Sequence, residues 1–573
     1  MLQTLTTPRG KTLSGTPWQV YPRPQMRRDS YINLNGEWDF AVSSGKPETF
    51  DMRILVPFCP ESRLSGIGRH FEEGAPLWYR RRFLLHEGFR RERVLLHIGA
   101  ADQIAEVFVN GQHLCRHEGG YASFCVDITE ALAEENELVI RCTDDLHDQA
   151  FPYGKQVMNQ GGMWYTPVSG IWQTVWLESV PDIYIEKLNI ENHGASVTIS
   201  TVPPLEGTVS VEPLGQFPLE NGQVTIAPEN PHFWCPDDPY LYRFALETAQ
   251  DRVESYFAIR SLEIKKVGEY PRLCLNGKPY FFHGLLDQGY WPEGLLTAPA
   301  PESYADDILA MKRLGFNTLR KHIKVEPEEF YYQCDRLGMI VWQDMVNNGS
   351  YRYFRDTVLP TIGIQKWNDR RLHLDERSRN TFRQGAADAV NQLKNHPCIC
   401  YWTIFNEGWG QFDALAVCEQ IRTLDSSRLI DHASGWFDQK GGDILSLHYY
   451  FLKLKFKPES KRAAALTEFG GYSLSIPGHS CCKKVYGYKK FNSTGTLTYG
   501  YIDLIRQTIL PAVKKGIGAT VYTQLSDIEE ETNGIYTYDR EICKIDPDTL
   551  RKWNRALKEA GECKTYADHT TDH

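Results

Sequence analysis

No run of about 18 apolar residues occurs anywhere in the 573-residue chain, so nothing in it reads as a membrane span. Met1 to Gly15 contain no apolar stretch behind a basic one, and no secretory signal is visible there. Positive charge is also in short supply. Lys and Arg total 63 against 73 Asp and Glu, a net charge of -10, which argues against nucleic acid or an anionic membrane as a partner. The 14 cysteines show neither ligand spacing nor an evenly spaced framework. Several (Cys274, Cys398, Cys400) stand inside apolar strand-like runs, the usage of buried free thiols in a cytoplasmic protein. Cys481-Cys482 has no ligand spacing around it, which disfavours a metal there. Internal repeats and low-complexity tracts are missing too.

The chain has ordinary globular composition, 42% hydrophobic and 24% charged, and is rich in Tyr (30) and Trp (14). Flat aromatic faces stack on sugar rings, but they also fill β-rich cores, so composition only permits a carbohydrate enzyme. At this length two to four domains are expected. After an irregular N-terminal arm, residues 1–181 carry short strand patterns: Trp78 to Phe83, Val94 to Ile98, Ala105 to Val109 and Glu137 to Arg141. Asn110-Gly111 is a hairpin signal. This predicts a β-sandwich. Residues 182–267, punctuated by Pro203-Pro204 and by Pro228 to Pro239, have the length of an immunoglobulin-like β-sandwich.

From residue 268 to 573 the pattern becomes strand-helix alternation. Apolar runs fall at Tyr280 to Phe282, Phe316 to Leu319, Met339 to Trp342, Cys398 to Phe405, Leu429-Ile430, Ile444 to Leu447, Ala464 to Leu466 and Ala519 to Tyr522. Between them lie helical periods such as Tyr304, Ile308, Met311 and Ile502, Ile505, Ile509, Val513. Asp546-Pro547 reads as a cap opening a last helix. Eight such strands describe a (β/α)8 barrel. The gap Asp431 to Asp443 is barely long enough for a crossover helix, so that crossover must be short or degenerate.

In such a barrel, residues just past a strand's carboxyl end face the active-site mouth. The fourth run ends Phe405-Asn406-Glu407-Gly408 and the seventh Thr467-Glu468-Phe469-Gly470. A lone strand-end carboxylate is as often an ordinary rim charge. Two across one mouth are harder to dismiss, because a carboxylate at an apolar strand end is costly unless solvated or paired.

Asn395-His-Pro-Cys-Ile-Cys-Tyr-Trp402, running on to Asn406-Glu407, resembles the acid/base signature of glycoside hydrolase family 2. That family holds β-galactosidases, β-glucuronidases and β-mannosidases. Thr467-Glu468-Phe469-Gly470 is similar to its nucleophile segment. Leu34-Asn35-Gly36-Glu37-Trp38 and Ser169-Gly170-Ile171-Trp172 resemble the start and end of its jelly-roll-like, sugar-binding sandwich. The resemblance implies a retaining exo-β-glycosidase with Glu407 as acid/base and Glu468 as nucleophile. It further implies that Asn406 bonds the sugar 2-hydroxyl, that Arg320 orients the nucleophile, and that either Tyr449 or Tyr450 bonds it. His322 is a further candidate behind Arg320, with a core histidine as the alternative.

Loop positions supply other candidates, each weighed against plain packing or a solvated loop. Trp291, Trp436 and Trp409 are candidates for the sugar-stacking wall. Asp287, Gln288, Asn347, Asn348, Gln524 and Asp527 are candidate hydroxyl binders.

The family's glucuronidases clamp the sugar carboxylate with an Asn-x-Lys element. Here Asn533 or Ile535 stands where that Lys is needed, which disfavours a glucuronide, although Arg352 or Lys324 could supply the charge for another hexuronide. The expected substrate is therefore a β-galactoside-type small molecule or oligosaccharide, with a β-hexuronide as alternative. A non-catalytic carbohydrate-binding protein on the same scaffold is the alternative of another class, and a transglycosylase is not separable by sequence. No cofactor is required for two-carboxylate chemistry, though Mg or Na could activate. The resemblance implies a homo-oligomer.

Overall fold

The computed structural model describes residues 4–450 and 454–562; the first three and last eleven residues of the expected outer domains lie outside it. Among the described residues no helix is long and apolar enough to cross a membrane.

The N-terminal sandwich is built from a six-stranded and a four-stranded sheet. The expected runs appear as Leu77–Phe83, Arg93–Ile98, Ile104–Val109 and Asn136–Thr143. Ile104–Val109 turns back into Gln112–Glu118 through Asn110 and Gly111, both at positive φ (50° and 83°). These are the two left-handed positions that a type I′ hairpin demands. Trp38, Tyr79, Leu96, Val107, Ile140 and Leu177 meet between the sheets. The family-like segments are structural staples. Asn35 Nδ2 donates to Trp18 O and Thr174 Oγ1, and Trp172 Nε1 donates to Gly120 O.

The second sandwich pairs a three-stranded with a four-stranded sheet around Ile190, Ile199, Val209, Leu246 and Phe257. A hairpin follows, Leu262–Val267 with Tyr270–Leu275. The expected boundary at residue 267 falls in its turn. Leu262 and Ile264 of this hairpin pack on the barrel core, not on the sandwich.

The barrel strands are β1 (Phe282–Asp287), β2 (Thr318–Lys321), β3 (Ile340–Asp344), β4 (Ile399–Thr403), β5 (Leu429–Asp431), β6 (Ile444–Tyr449), β7 (Ala463–Gly470) and β8 (Ile517–Thr523). All are parallel, in the spatial order 5-4-3-2-1-8-7-6. All but β6, which is only half-buried, are buried on both faces, which is why they read as apolar runs. The ladder is open between β5 and β6. Residues 432–443, the short crossover, contain no helix, so the degenerate link expected from the sequence lies at the seam. Hydroxyls fill it: Ser434, Ser446 and Thr467 join at 2.6–3.3 Å. The last helix, Pro547–Gly561, opens as expected, with the Asp546 side chain accepting from Thr549 N.

Candidate active site

Glu407 leaves the end of β4 in the left-handed region, φ 52°. A non-glycine residue there is strained and must be held by its surroundings. Its N–H donates to Ser434 O at 2.9 Å, and Asn406 bridges Ser434 in parallel. Gly408 follows, also at positive φ, where a Cβ would sit 2.2 Å from the Phe437 ring. Backbone geometry thus aims the Glu407 carboxyl into the barrel mouth rather than along the strand.

Glu468 rises from β7 on the opposite side. One oxygen of Glu407, one oxygen of Glu468 and one nitrogen of His448 lie within 4.8 Å of one another. Inverting glycosidases keep their carboxyls about 6.5–9.5 Å apart to admit a water, whereas retaining ones hold them at about 5–5.5 Å. The spacing here is of the retaining kind. The same trio has the spread of a divalent-cation site, but Glu407 Oε1 is already bonded to His448 Nδ1 at 2.8 Å.

The nucleophile candidate sits in a donor cage. Arg320 Nη1 donates to Glu468 Oε1 at 3.0 Å and Tyr450 Oη to Oε2 at 2.5 Å. Arg320, fully buried, also donates to Asn406 Oδ1 (2.9 Å) and to Asp344 (3.0 Å). Asp344 in turn takes His322 Nδ1 at 2.7 Å. Burial alone would raise the Glu468 carboxyl; His448, Arg320, His322 and the Tyr450 hydroxyl outweigh it and hold it down at about 2. Burial pushes His322 down to about 4, with its bond to Asp344 opposing. One guanidinium therefore binds Glu468 and the amide beside Glu407, fixing the relative position of β4 and β7.

His448 was not among the candidates read from sequence. Its Nδ1 meets Glu407, and its Nε2 lies 3.0 Å from Ser434 Oγ and 3.7 Å from Glu468 Oε1. The ring spans both carboxyls. Trp436 closes this side, its Nε1 donating to Glu407 O and its ring edge-on to His448 at 5.4 Å. Of the two candidate tyrosines, Tyr450 carries the bond to Glu468, and Tyr488 stacks on it at 4.0 Å. Tyr449 lines the outer cleft instead. The cleft measures about 1030 Å³, with Trp164 of the N-terminal sandwich among its walls.

Other candidates are placed elsewhere. Asp287 is held by Lys321 Nζ at 2.6 Å. Trp291 lies beneath the Arg540 guanidinium, 4.2 Å from its ring centre, and lines a separate hollow beside Thr7 and Asp306. The Asn348 amide is spent on Ala150 O and Ser378 O. Arg352 is exposed and outside the cleft lining. Gln524 is buried in an amide chain, accepting from Gln288 and donating to Asn533, which donates to Glu531. Asp527 pairs with Lys544, and Trp409 is buried against Trp164. The first half of the acid/base signature is a domain staple. Asn395 bonds Leu188 O and Ile190 N of the second sandwich, and His396 bonds Asp335 at 2.7 Å.

Comparison with known proteins agrees with this architecture. The model for the glycosyl hydrolases family 2 TIM barrel domain matches residues 266–508, and that for the glycosyl hydrolase 2 galactose-binding domain-like region matches 70–162. A β-galactosidase of Thermoanaerobacter pseudethanolicus is 24% identical over 384 residues, 61% of this chain and 47% of that protein. A β-glucuronidase of Bacteroides fragilis is 22% identical over 406 residues, 66% of this chain and 56% of that protein. The chain thus spans about half the length of these curated relatives. Two solved structures share the fold. A β-D-glucuronidase of Dictyoglomus thermophilum has TM-score 0.72 at 17% identity, covering 93% of this chain and 98% of that one. A β-galacturonidase of Eisenbergiella tayi bound to galacturonate has TM-score 0.67 at 16% identity, covering 94% and 99%.

Proposed function

The chain belongs to glycosyl hydrolase family 2, and on that premise we propose that it is a retaining exo-β-glycosidase. The observation that carries this reading is the 4.8 Å grouping of Glu407, Glu468 and His448. In it Glu468, ionised by its cage, attacks the anomeric carbon while the protonated Glu407 carboxyl gives its proton to the leaving oxygen. Glu407, now a carboxylate, then takes a proton from water, which displaces Glu468 and frees the sugar with its β configuration kept. Asn406, held by Arg320, bonds the 2-hydroxyl in this reading. The two carboxyls complete the chemistry without a metal, so we propose no cofactor. An intact donor cage around Glu468 speaks against a retired, purely carbohydrate-binding scaffold.

Between the two sugar classes we propose a β-hexuronide over the β-galactoside expected from sequence. Relatives named as β-glucuronidases, and a fold neighbour bound to galacturonate, support it. The free state of all 13 described cysteines supports a reducing compartment, and we place the protein in the cytoplasm. Self-association, implied by the family resemblance, is open to light scattering.

The test is covalent trapping with activated 2-deoxy-2-fluoro-β-glycosyl fluorides of the hexuronyl and galactosyl series, followed by peptide mass mapping. The expected adduct lies on the peptide holding Glu468, with the β-anomer as the first product seen by NMR. An adduct on another residue, or α-product released first, would overturn the assignment.

A further inference from the structure

Four lysines among the described residues are buried: Lys155, Lys321, Lys324 and Lys544. Three are fully engaged. Lys321 bonds Asp287 and Glu326; Lys324 bonds Glu326 and two carbonyls; Lys544 bonds Asp527 and two carbonyls. Lys155 is 7% exposed, and its ammonium makes no hydrogen bond or ion pair to any described residue. An ammonium with no acceptor among its described neighbours is free to take an anionic ligand.

Its setting is specific. The Nζ lies 4.5 Å from the ring centre of Trp409 and 6.0 Å from that of Trp164, and the two indoles stack at 5.2 Å. Trp409 stands two residues after Glu407, and Trp164 lines the catalytic cleft. Indole faces stabilise a cation while leaving its N–H groups available to a ligand. Lys155 comes from the N-terminal sandwich, yet its backbone is fastened to the barrel. Tyr153 and Gly154 N–H both donate to Asn347 O, and Tyr165 N–H donates to Lys155 O. Gly154 sits at φ 65° with the Ile323 carbonyl so near that a Cβ would approach it to 3.1 Å. Only glycine permits that contact. Burial depresses the Lys155 ammonium, while the charges of Glu531, Glu468 and Glu407 pull it up.

Among the described residues, the other positions weighed for this charge are engaged or exposed. Ile535 is fully buried and apolar, and Asn533 is spent on Gln524 and Glu531. Lys324 and Lys544 are engaged as above, and Arg352 is exposed outside the lining. Lys455 lines the cleft but is exposed.

We propose that Lys155, presented by the sandwich beside the stacked rings of Trp164 and Trp409, is the residue that binds the carboxylate of a β-hexuronide in the barrel's active site. The choice of sugar is then made across a domain boundary. This rests on the glycosidase reading above and adds the residue that selects the acid sugar.

The test compares kcat/KM for matched aryl β-hexuronides (gluco and galacto) and neutral aryl β-glycosides in the wild type, Lys155→Gln, Lys155→Arg and Lys455→Gln. Inhibition by free hexuronic acid is read in parallel. In Lys155→Gln the hexuronide-to-neutral ratio is expected to fall about 100-fold or more, with inhibition by the free acid weakened by a similar factor. Lys155→Arg recovers most of the ratio, which also shows that the site folds. Equal losses on both substrate classes would make Lys155 a structural counter-ion and overturn the proposal, as would collapse of the ratio in Lys455→Gln instead. If the wild type labels at Glu468 but turns over only neutral glycosides, this inference falls and the glycosidase reading stands. If no substrate of the panel is turned over or trapped, it is the glycosidase reading that has failed.

Discussion

Replacing His448 by Gln should move the acid limb of catalysis without destroying it. The ring nitrogen of His448 lies 3.7 Å from Glu468 Oε1, and His448 contributes most among the groups that hold the nucleophile down. A unit charge pair at that distance, in an effective dielectric of about 20, interacts by about 4.5 kcal/mol. That is an upper bound equal to roughly three pKa units. Burial opposes it, and Arg320 at 3.0 Å and the Tyr450 hydroxyl at 2.5 Å remain in the variant. The net rise for Glu468 is therefore about 1–2 units, from about 2 to about 3–4.

Glutamine is the informative substitution because its amide can still donate to Glu407 while carrying no charge. The assay is kcat/KM against pH with an activated aryl β-glycoside, on protein shown by circular dichroism to stay folded across the range. The wild type should be flat down to its acid unfolding, because the nucleophile stays ionised there. The variant should show a limb near pH 3–4 at a plateau lowered by about 10–100-fold. The position of the limb carries the argument, and its height does not. Limbs that coincide within about 0.3 unit would refute the claim that His448 sets the charge state of Glu468.

Three further outcomes follow from the contacts. Arg320→Met leaves Asp344 and Glu468 without their shared cation, so urea denaturation should show a loss of about 3–5 kcal/mol, with activity lost as well. Glu178, fully buried, has its carboxyl held well below the usual range, against the cost of burial, by Arg23, the hydrogen-bonding His97 ring and Arg28. A folded pKa below the unfolded one gives stability that is full above about pH 4.5 and fades as pH falls. Glu178→Gln should cost about 3–5 kcal/mol at pH 7, and the gap to wild type should narrow below pH 4. Asn348→Ala should lower the melting stability by about 1–3 kcal/mol while changing KM by less than about twofold, because its amide serves Ala150 O and Ser378 O rather than the cleft.

The barrel was legible because parallel strands buried on both faces cannot avoid apolar runs. All eight strands overlap the runs that predicted them, and the first is the most displaced. The first strand extends from Phe282 through His283 to Asp287 because His283 N–H meets Asn317 Oδ1, its ring meets Thr520, and Asp287 meets Lys321. None of those partners is a sequence neighbour. Glu407 and Glu468 were visible for a related reason, since a carboxylate ending an apolar strand calls for an explanation. The loop after β1 shows the opposite case. Being past a strand end does not make a residue face the mouth, and Trp291 folds back under Arg540.

The residues that sequence reasoning missed gain their roles from geometry that no local pattern encodes. His448 follows directly on a run already recognised as the sixth strand. What makes it functional is a register shift between Leu447 and His448, which sets His448 opposite Glu468 on β7. Such an irregularity re-aims a side chain at the rim of a barrel, and it is invisible in an apolar run. Lys155 is more remote still, more than a hundred residues before the first barrel strand, in a turn whose only local oddity is the glycine before it. Its significance comes from what it lacks. The other buried lysines neutralise carboxylates, whereas the Lys155 ammonium has no acceptor among the described residues and rests on Trp409, two residues after Glu407. The proposed hexuronide carboxylate would supply that acceptor, a pairing no local sequence pattern could announce.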